Sequence, residues 1–277
     1  MTYYYTNTGH KIGLERLRRG AALLNRLAEE GEEIQLLVND FRAGLVAREL
    51  GVKEYVTIEG VQDIDAIAEN GANIIIDSME DDHGRLVKYC EDFAKVWRYA
   101  HDANDSQVHT EILMNQDTIL VDDVYFDKAE KTERVLFFLG DSDSDKMILN
   151  NASFFENTQM ELLLGNYFFV KYEDDLAKLF TTLHEPEEYE SLIQESTTIV
   201  TASMQTAFEA KVSEAKVIFL DIHKENLYDI ALLEAHGIAV VKGYDKDILH
   251  KFLNENISTT ANKINKIEVT KVLLNYK

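Results

Sequence analysis

The chain has 277 residues, 45% hydrophobic and 10% aromatic, which is long enough for one large or two compact domains and too apolar for a disordered one. Its 50 acidic and 28 basic residues give a formal net charge of −22, a surface that repels phosphate backbones and argues against broad binding to nucleic acid or anionic membranes. The single cysteine, Cys90, excludes an internal disulfide framework and fits a reducing cytoplasm.

No apolar run reaches the roughly 18–20 residues that span a bilayer, and the start, MTYYYTNTGHK, lacks the layout of a signal peptide. A cytoplasmic protein with no integral membrane segment is the expectation.

The first element is a tyrosine-rich strand over 3–5, followed by the turn TNTGHKIG and a helix whose Leu14, Leu17, Ala21, Leu24 and Leu27 share one face. A strand-to-helix turn presents backbone N–H groups and a helix N-terminus to an anion. Lys11, Arg16, Arg18, Arg19 and Arg26 crowd this turn and helix. Next come a strand at 34–38, a helix over 41–50, a short strand at 55–58 and a helix over 63–69. The run NIIID at 73–77 is continuously apolar and ends in Asp77, the pattern of a buried parallel strand with a carboxylate at its tip. A helix over 85–93, a strand at 95–99 and an irregular polar stretch at 102–107 follow.

The pattern restarts near residue 130. The charged segment AEKTER reads as a linker, and VLFFL at 135–139 as a strand leading into GDSDSDK. DSDSD at 141–145 resembles the start of a calcium loop, but Lys146 stands where the sharp turn needs glycine and Ala152 where the twelfth position needs Glu. A strand-to-helix loop opened by Gly140, whose backbone and Ser142 or Ser144 cradle a phosphate or sugar hydroxyls, is the alternative to a plain helix cap. The later elements are a helix over 147–151, strands at 160–164 and 167–170, a helix over 175–183, a strand at 197–201, a helix over 205–213, a strand at 217–220, a helix over 227–236 and a strand at 239–241. The segment 246–277 mixes both patterns.

Such alternation predicts two doubly wound α/β domains, 1–130 and 131–277, facing across a cleft, with ligands at the carboxyl ends of the strands. In TASMQTAFEA at 201–210, Ser203 or Thr201 caps a helix and Glu209 lies in its second turn, placed to accept hydrogen bonds from ribose hydroxyls. No metal site is expected: the acids of DSMEDDHG at 77–84 have no second cluster to converge with. No nucleophile elbow, zincin motif, Walker loop or complete dinucleotide fingerprint is present, and no cofactor is expected.

These residues carry a resemblance. The chain resembles the UDP-sugar hydrolases of pseudaminic acid biosynthesis, GT-B-fold relatives of the glycosyltransferase that completes the lipid-linked peptidoglycan precursor. The family's first loop reads roughly I-G-x-G-H-x-x-R; Ile12, Gly13 and Arg19 match it, whereas Glu15 replaces the second glycine and Arg16 the histidine. Asp77 matches the aspartate of a family Asp-His-Tyr, with Ser78 and Met79 in place of the other two. Gly140, Asp141, Ser142 and Asp143 correspond to a Gly-Gly-Thr-Asp loop, and Thr201, Ala202, Ser203, Phe208, Glu209 and Ala210 to the start of the UDP-binding helix.

The resemblance implies a GT-B fold, a nucleotide-sugar ligand, nucleotide contacts from Gly13, Arg19, Gly140, Ser142, Ser203 and Glu209, and a reaction in which water attacks the anomeric carbon as UDP departs. An arginine stays protonated, so Arg16 cannot take the histidine's role as base; it can neutralise a diphosphate. His10, six residues earlier on the turn, is then the candidate proton acceptor, with Asp77 facing the site. A nucleotide-sugar hydrolase or glycosyltransferase-like protein is the first expectation. A GT-B-fold binding or partner protein without turnover is the second, motivated by the missing histidine and tyrosine.

Overall fold

A computed structural model describes residues 1–102, 104–168, 170–222, 229–255 and 261–274. Its contacts gather into two units, Met1–Asp122 with the C-terminal segment from Lys266, and Asp123–Asn265.

In the first unit, β1 (Thr2–Thr6) leads through the glycine-bearing turn to α1 (Glu15–Glu29). Then follow β2 (Ile34–Val38), α2 (Phe41–Glu49), β3 (Tyr55–Thr57), β4 (Asn73–Asp77), α3 (Arg85–Asp92), β5 (Lys95–Tyr99) and β6 (Ile112–Met114). Every pairing is parallel, in the order β3-β2-β1-β4-β5-β6. β1 is buried along its whole length, which is why TYYYT reads as a run of large side chains without alternation. α1 buries the expected face, Leu17, Ala21, Leu24 and Leu27, with Leu14 just before it. The side chain of Asp40 caps α2 by accepting from the Arg42 N–H. A cluster of Tyr3, Tyr5, Leu37, Ile64, Ile74, Ile76 and Tyr89 fills one side of the sheet.

The second unit contains β7 (Thr132–Phe138), α4 (Met147–Asn150), α5 (Ala152–Phe155), β8 (Glu161–Leu163), α6 (Glu173–Leu176), β9 (Leu183–His184) and α7 (Tyr189–Glu195). After these come β10 (Ser196–Thr201), α8 (Met204–Val212), β11 (Lys216–Asp221), α9 (Ile230–Ala235), β12 (Ala239–Lys242) and α10 (Lys246–Asn254). Its sheet, also parallel throughout, runs β12-β11-β10-β7-β8-β9. Read from the other edge this is the order of the first unit: the first strand lies centrally, two strands extend to one side, and the chain then crosses to the other. Both units thus have the 3-2-1-4-5-6 order of Rossmann folds. Phe137, Phe155 and Phe180 pack together in the core, with ring centroids 4.9 to 5.8 Å apart, Phe137 and Phe180 stacked and Phe155 tilted against both.

Several expected elements differ. The strand expected at 167–170, of which residue 169 lies outside the described residues, is not formed. Gly165 packs on the backbone of Asp141 and the Tyr167 N–H bonds its carbonyl at 2.8 Å, so this stretch closes a loop and runs into a 3₁₀ turn at Val170–Tyr172. The helix expected over 175–183 ends at Leu176, because the Thr181 N–H bonds the Met160 carbonyl and draws the chain back to the sheet as β9. The helix expected over 63–69 is a 3₁₀ turn, Val61–Ala66. The charged AEKTER is no linker throughout, since β7 begins within it at Thr132. β6 escaped the sequence reading altogether. Of the helix expected over 227–236, residues 227 and 228 lie outside the described residues, as do 103, 256–260 and 275–277 of the other expected stretches.

Candidate functional site

In each unit the chain reverses its direction of winding between two neighbouring central strands. In the first unit these are β1 and β4, paired from Thr2 with Asn73 to Thr6 with Asp77. In the second they are β7 and β10, paired up to Phe138 with Thr201. The loops leaving such strands diverge to opposite faces of the sheet and open a crevice at the carboxyl ends.

At the first switch point the turn after β1 is drawn tight: the Gly13 N–H bonds the Gly9 carbonyl at 2.7 Å, and Gly13 has φ +80°, a left-handed backbone that suits glycine. Asn39 at the end of β2 clamps Thr8 by accepting its N–H and donating to its carbonyl. Arg16 donates to the side chain of Asn7 at 2.8 Å. His10 and Ile12 lie exposed in the turn.

Asp77, fully buried, is the hub. Arg19 reaches back from α1 and meets it with two hydrogen bonds, Nε to Oδ2 at 2.5 Å and Nη2 to Oδ1 at 2.6 Å. The Tyr4 hydroxyl donates to Oδ2 at 2.8 Å, and the Arg19 guanidinium lies 4.0 Å from the centre of the Tyr99 ring. Burial alone would lift the Asp77 carboxyl; the charge and hydrogen bonds of Arg19 outweigh it and hold the group below the ordinary carboxylate range. Burial opposes the charge on Arg19 as well, and Asp77 overcomes this and keeps it protonated. Burial, then the neighbouring carboxylate, pushes the Tyr4 phenol up.

His101, two residues beyond β5, completes the cluster. Its Nε2 is buried, 3.3 Å from Asp77 Oδ1, with an alignment that falls short of a hydrogen bond. Burial is the chief reason the imidazole is held down at about 4; Asp77 pulls the other way, while Arg19 and Arg16 reinforce burial. His101 is therefore neutral near pH 7. Its backbone is fixed by Asp105, which accepts the His101 N–H and two bonds from Arg98 at 2.8 and 2.9 Å. Buried Glu111 accepts the N–H groups of Val108 and His109 further along the same loop.

At the second switch point, Gly140 follows β7 with φ +146°. Buried Asp141 accepts from Asn166, and Asp143 accepts from the N–H groups of Met147 and Ile148 at the start of α4. Ser142 lies half-buried between the two aspartates. Ser203 caps α8, accepting from the Thr206 N–H at 3.2 Å. Glu209 is only 2% exposed: it accepts from the Tyr189 hydroxyl at 2.6 Å and from Gln205 at 2.8 Å, and Tyr189 also touches the Thr206 hydroxyl.

The structure thus joins Asp77 and Arg19 directly, brings Arg16 to the same strand ends, and leaves His10 on the exposed turn. Gly140 and Ser142 lie on one side of the second switch point, Ser203 and Glu209 on the other. Tyr4, Tyr99, Tyr189 and His101 escaped the sequence reading. For His101 a signal existed: a histidine two residues past a strand's carboxyl end, opening a loop rich in Asp and Asn. Among the described residues no three His, Cys, Asp or Glu side chains gather as metal ligands, and no helix is long and apolar enough to cross a membrane.

No family model and no curated protein matches the chain. Solved structures do. It is similar to UDP-GlcNAc 2-epimerase of Methanocaldococcus jannaschii, in a structure holding UDP-GlcNAc and UDP, with TM-score 0.56 and 11% identity over 93% of this chain and 94% of that one. It is also similar to AviGT4, a glycosyltransferase of avilamycin A biosynthesis, with TM-score 0.51 and 13% identity over 91% and 87% of the two chains. At such identity the likeness speaks for the fold. Two parallel six-stranded sheets in Rossmann order, with these structures matching 91–93% of the chain, give it a GT-B-type α/β fold.

Proposed function

We propose that the chain acts on a nucleotide-activated sugar, as a hydrolase or a glycosyltransferase-like enzyme. The nucleotide, UDP in this reading, sits at the switch point of the second unit, and the switch point of the first unit carries a second set of candidate groups. The observation that carries the reading is that Asp77 in the first unit and Gly140, Ser142 and Ser203 in the second lie at the strand ends between which the winding reverses. The neighbour that holds UDP-GlcNAc and UDP supports the ligand class.

In the second unit the N–H groups at the start of α8, next to the Ser203 cap, and the backbone at Gly140 and Ser142 are the donors for a diphosphate. In the first, Gly13 shapes the turn and Arg16 adds positive charge, while Arg19 spends its charge on Asp77 and acts by holding that carboxylate. Departure of the nucleotide then depends on neutralising its diphosphate. The finer reading, carried by Ile12, Gly13, Arg19 and the 201–210 segment, is a cytoplasmic UDP-sugar hydrolase of pseudaminic acid biosynthesis.

The second reading is a binding protein without turnover, motivated by Arg16 and Met79 standing where the resemblance expects a histidine and a tyrosine, and by Glu15 in place of a glycine. Calorimetry with UDP and UDP-sugars tests the ligand class, and absence of binding at millimolar ligand contradicts it. Release of UDP from a bound UDP-sugar separates the enzyme from the binding protein.

A further inference from the structure

We infer that the second unit carries a binding site for a neutral sugar, in a cavity at the amino ends of β8 and β9, at the other end of that sheet from the switch point. The cavity has a volume of about 380 Å³, towards the small end of the roughly 300–1,000 Å³ of small-molecule sites. One side of it is the turn that leads into β8, with Glu156, Asn157 and Gln159. The other is the stretch 178–181 that leads into β9. All of these residues belong to one unit, and the site stands independently of the nucleotide reading above.

Both sides are pinned before any ligand arrives, which lowers the ordering cost of binding. The Thr158 hydroxyl donates to the Phe155 carbonyl at 2.7 Å and closes the turn. Thr181 donates twice to the Met160 carbonyl, from its N–H at 3.0 Å and its hydroxyl at 3.1 Å, tying the second side to the first. Phe180, part of the wall, packs against Phe137 and Phe155 in the core. Within the turn, Asn157 and Gln159 have φ of +63° and +53°. Asparagine tolerates this left-handed backbone, whereas glutamine is strained in it. A glycine would hold the same turn without strain, so the turn itself does not account for an amide at 159; lining a cavity does.

The polar groups of the lining select the ligand. The amides of Asn157 and Gln159 both donate and accept, and the Glu156 carboxylate accepts; sugar hydroxyls, which donate one bond and accept others, match that set. The Thr181 hydroxyl has given its proton to Met160 and keeps a lone pair for a further donor. Leu179 and Phe180 supply apolar wall for the C–H face of a sugar ring. The lining disfavours a phosphate or other anion. Lys178, the one cation among the described residues of the lining, is engaged by Asp175 at 2.6 Å, and Glu156 adds a repelling charge.

The test is amide NMR of the full chain, titrated separately with glucose, galactose, mannose and N-acetylglucosamine to tens of millimolar. With at least one of them, saturable shifts are expected at residues 157–159 and 178–181, and none at 140–143 or 202–206. Gln159→Gly relieves the backbone and removes only the amide, so the fold is kept while sugar affinity falls about 3–10-fold, the weight of one hydrogen bond. Asn157→Gly is expected to give the same pair of responses. No saturable shift with any of the four sugars overturns the inference. Shifts that fall at the switch point instead, or wild-type affinity in both variants, overturn it as well. None of these results bears on the proposed function, whose UDP titration is read at the other end of the sheet.

Discussion

Arg19 and Asp77 form a two-bonded ion pair, 58 residues apart in sequence, inside the first unit, with the guanidinium lying on Tyr99 and the carboxylate also held by Tyr4. The pair has a low exposure, 14% for the arginine side chain and 0% for the aspartate. Removing one member strands the other in a medium that cannot solvate it. Arg19→Met is therefore expected to cost about 3–5 kcal/mol in urea unfolding. The double change Arg19→Met with Asp77→Leu, which removes both charges, is expected to recover most of that loss.

His101 makes stability depend on pH. Its folded value of about 4 lies below the ordinary 6.5, so between these values the unfolded chain binds a proton that the folded chain refuses. Stability then rises with pH across this window and falls as the solution is acidified from 6.5 towards 4, by about 3 kcal/mol for a shift of this size. Asp77, held below its ordinary value, adds a loss in the same direction at still lower pH. The wild-type minus His101→Gln difference in unfolding free energy, measured from pH 7 to 4.5, is expected to shrink steadily. A flat difference contradicts the assignment.

Gly20, next to Arg19, leaves room for the Tyr4 ring: a Cβ there would come within 2.5 Å of it. Tyr4 is fully buried and tied to Asp77, so it cannot move aside freely. Alanine improves helix propensity by about 1 kcal/mol over glycine, yet overpacking of about 1–3 kcal/mol outweighs this. Gly20→Ala is expected to lower Tm despite the better helix former, whereas Gly31→Ala, whose Cβ meets nothing, pays only for its positive φ.

What the sequence disclosed, and what it hid, follows from the range of the forces. Leu14 to Leu27 repeat with the helix period and NIIID is a buried strand by its own composition, so local pattern sufficed for α1 and β4. The turn at Gly13, the cap at Ser203 and Asp77 at a strand tip were legible for the same reason. The joining of Arg19 to Asp77 was not, since it depends on β1 and β4 being neighbours. His101 was harder still: only the pairing of β4 with β5 brings it beside Asp77. Glu209 read as a helix carboxylate available to a ribose; the buried Tyr189 that meets it arrives from α7, on the far side of β10 in the chain. The expected helix over 175–183 failed because Thr181 and Thr182 bond to Met160 and Leu162 and so serve the sheet.

Tyr189 offers a test of the second unit. Its hydroxyl bridges Glu209 and Thr206 in the interior, so Tyr189→Phe leaves a buried carboxylate short of one donor. A loss of about 1–3 kcal/mol is expected in denaturant unfolding. If the freed carboxylate oxygen also serves a ribose, UDP affinity rises rather than falls, which calorimetry on the same variant reads directly.

The central claim is that a nucleotide occupies the switch point of the second unit. Amide NMR of the full chain titrated with UDP tests it most directly. Saturable shifts concentrated at Gly140–Asp143 after β7 and at Ala202–Thr206 at the start of α8 are expected. No shift at millimolar UDP, or shifts that avoid both strand ends, would contradict it.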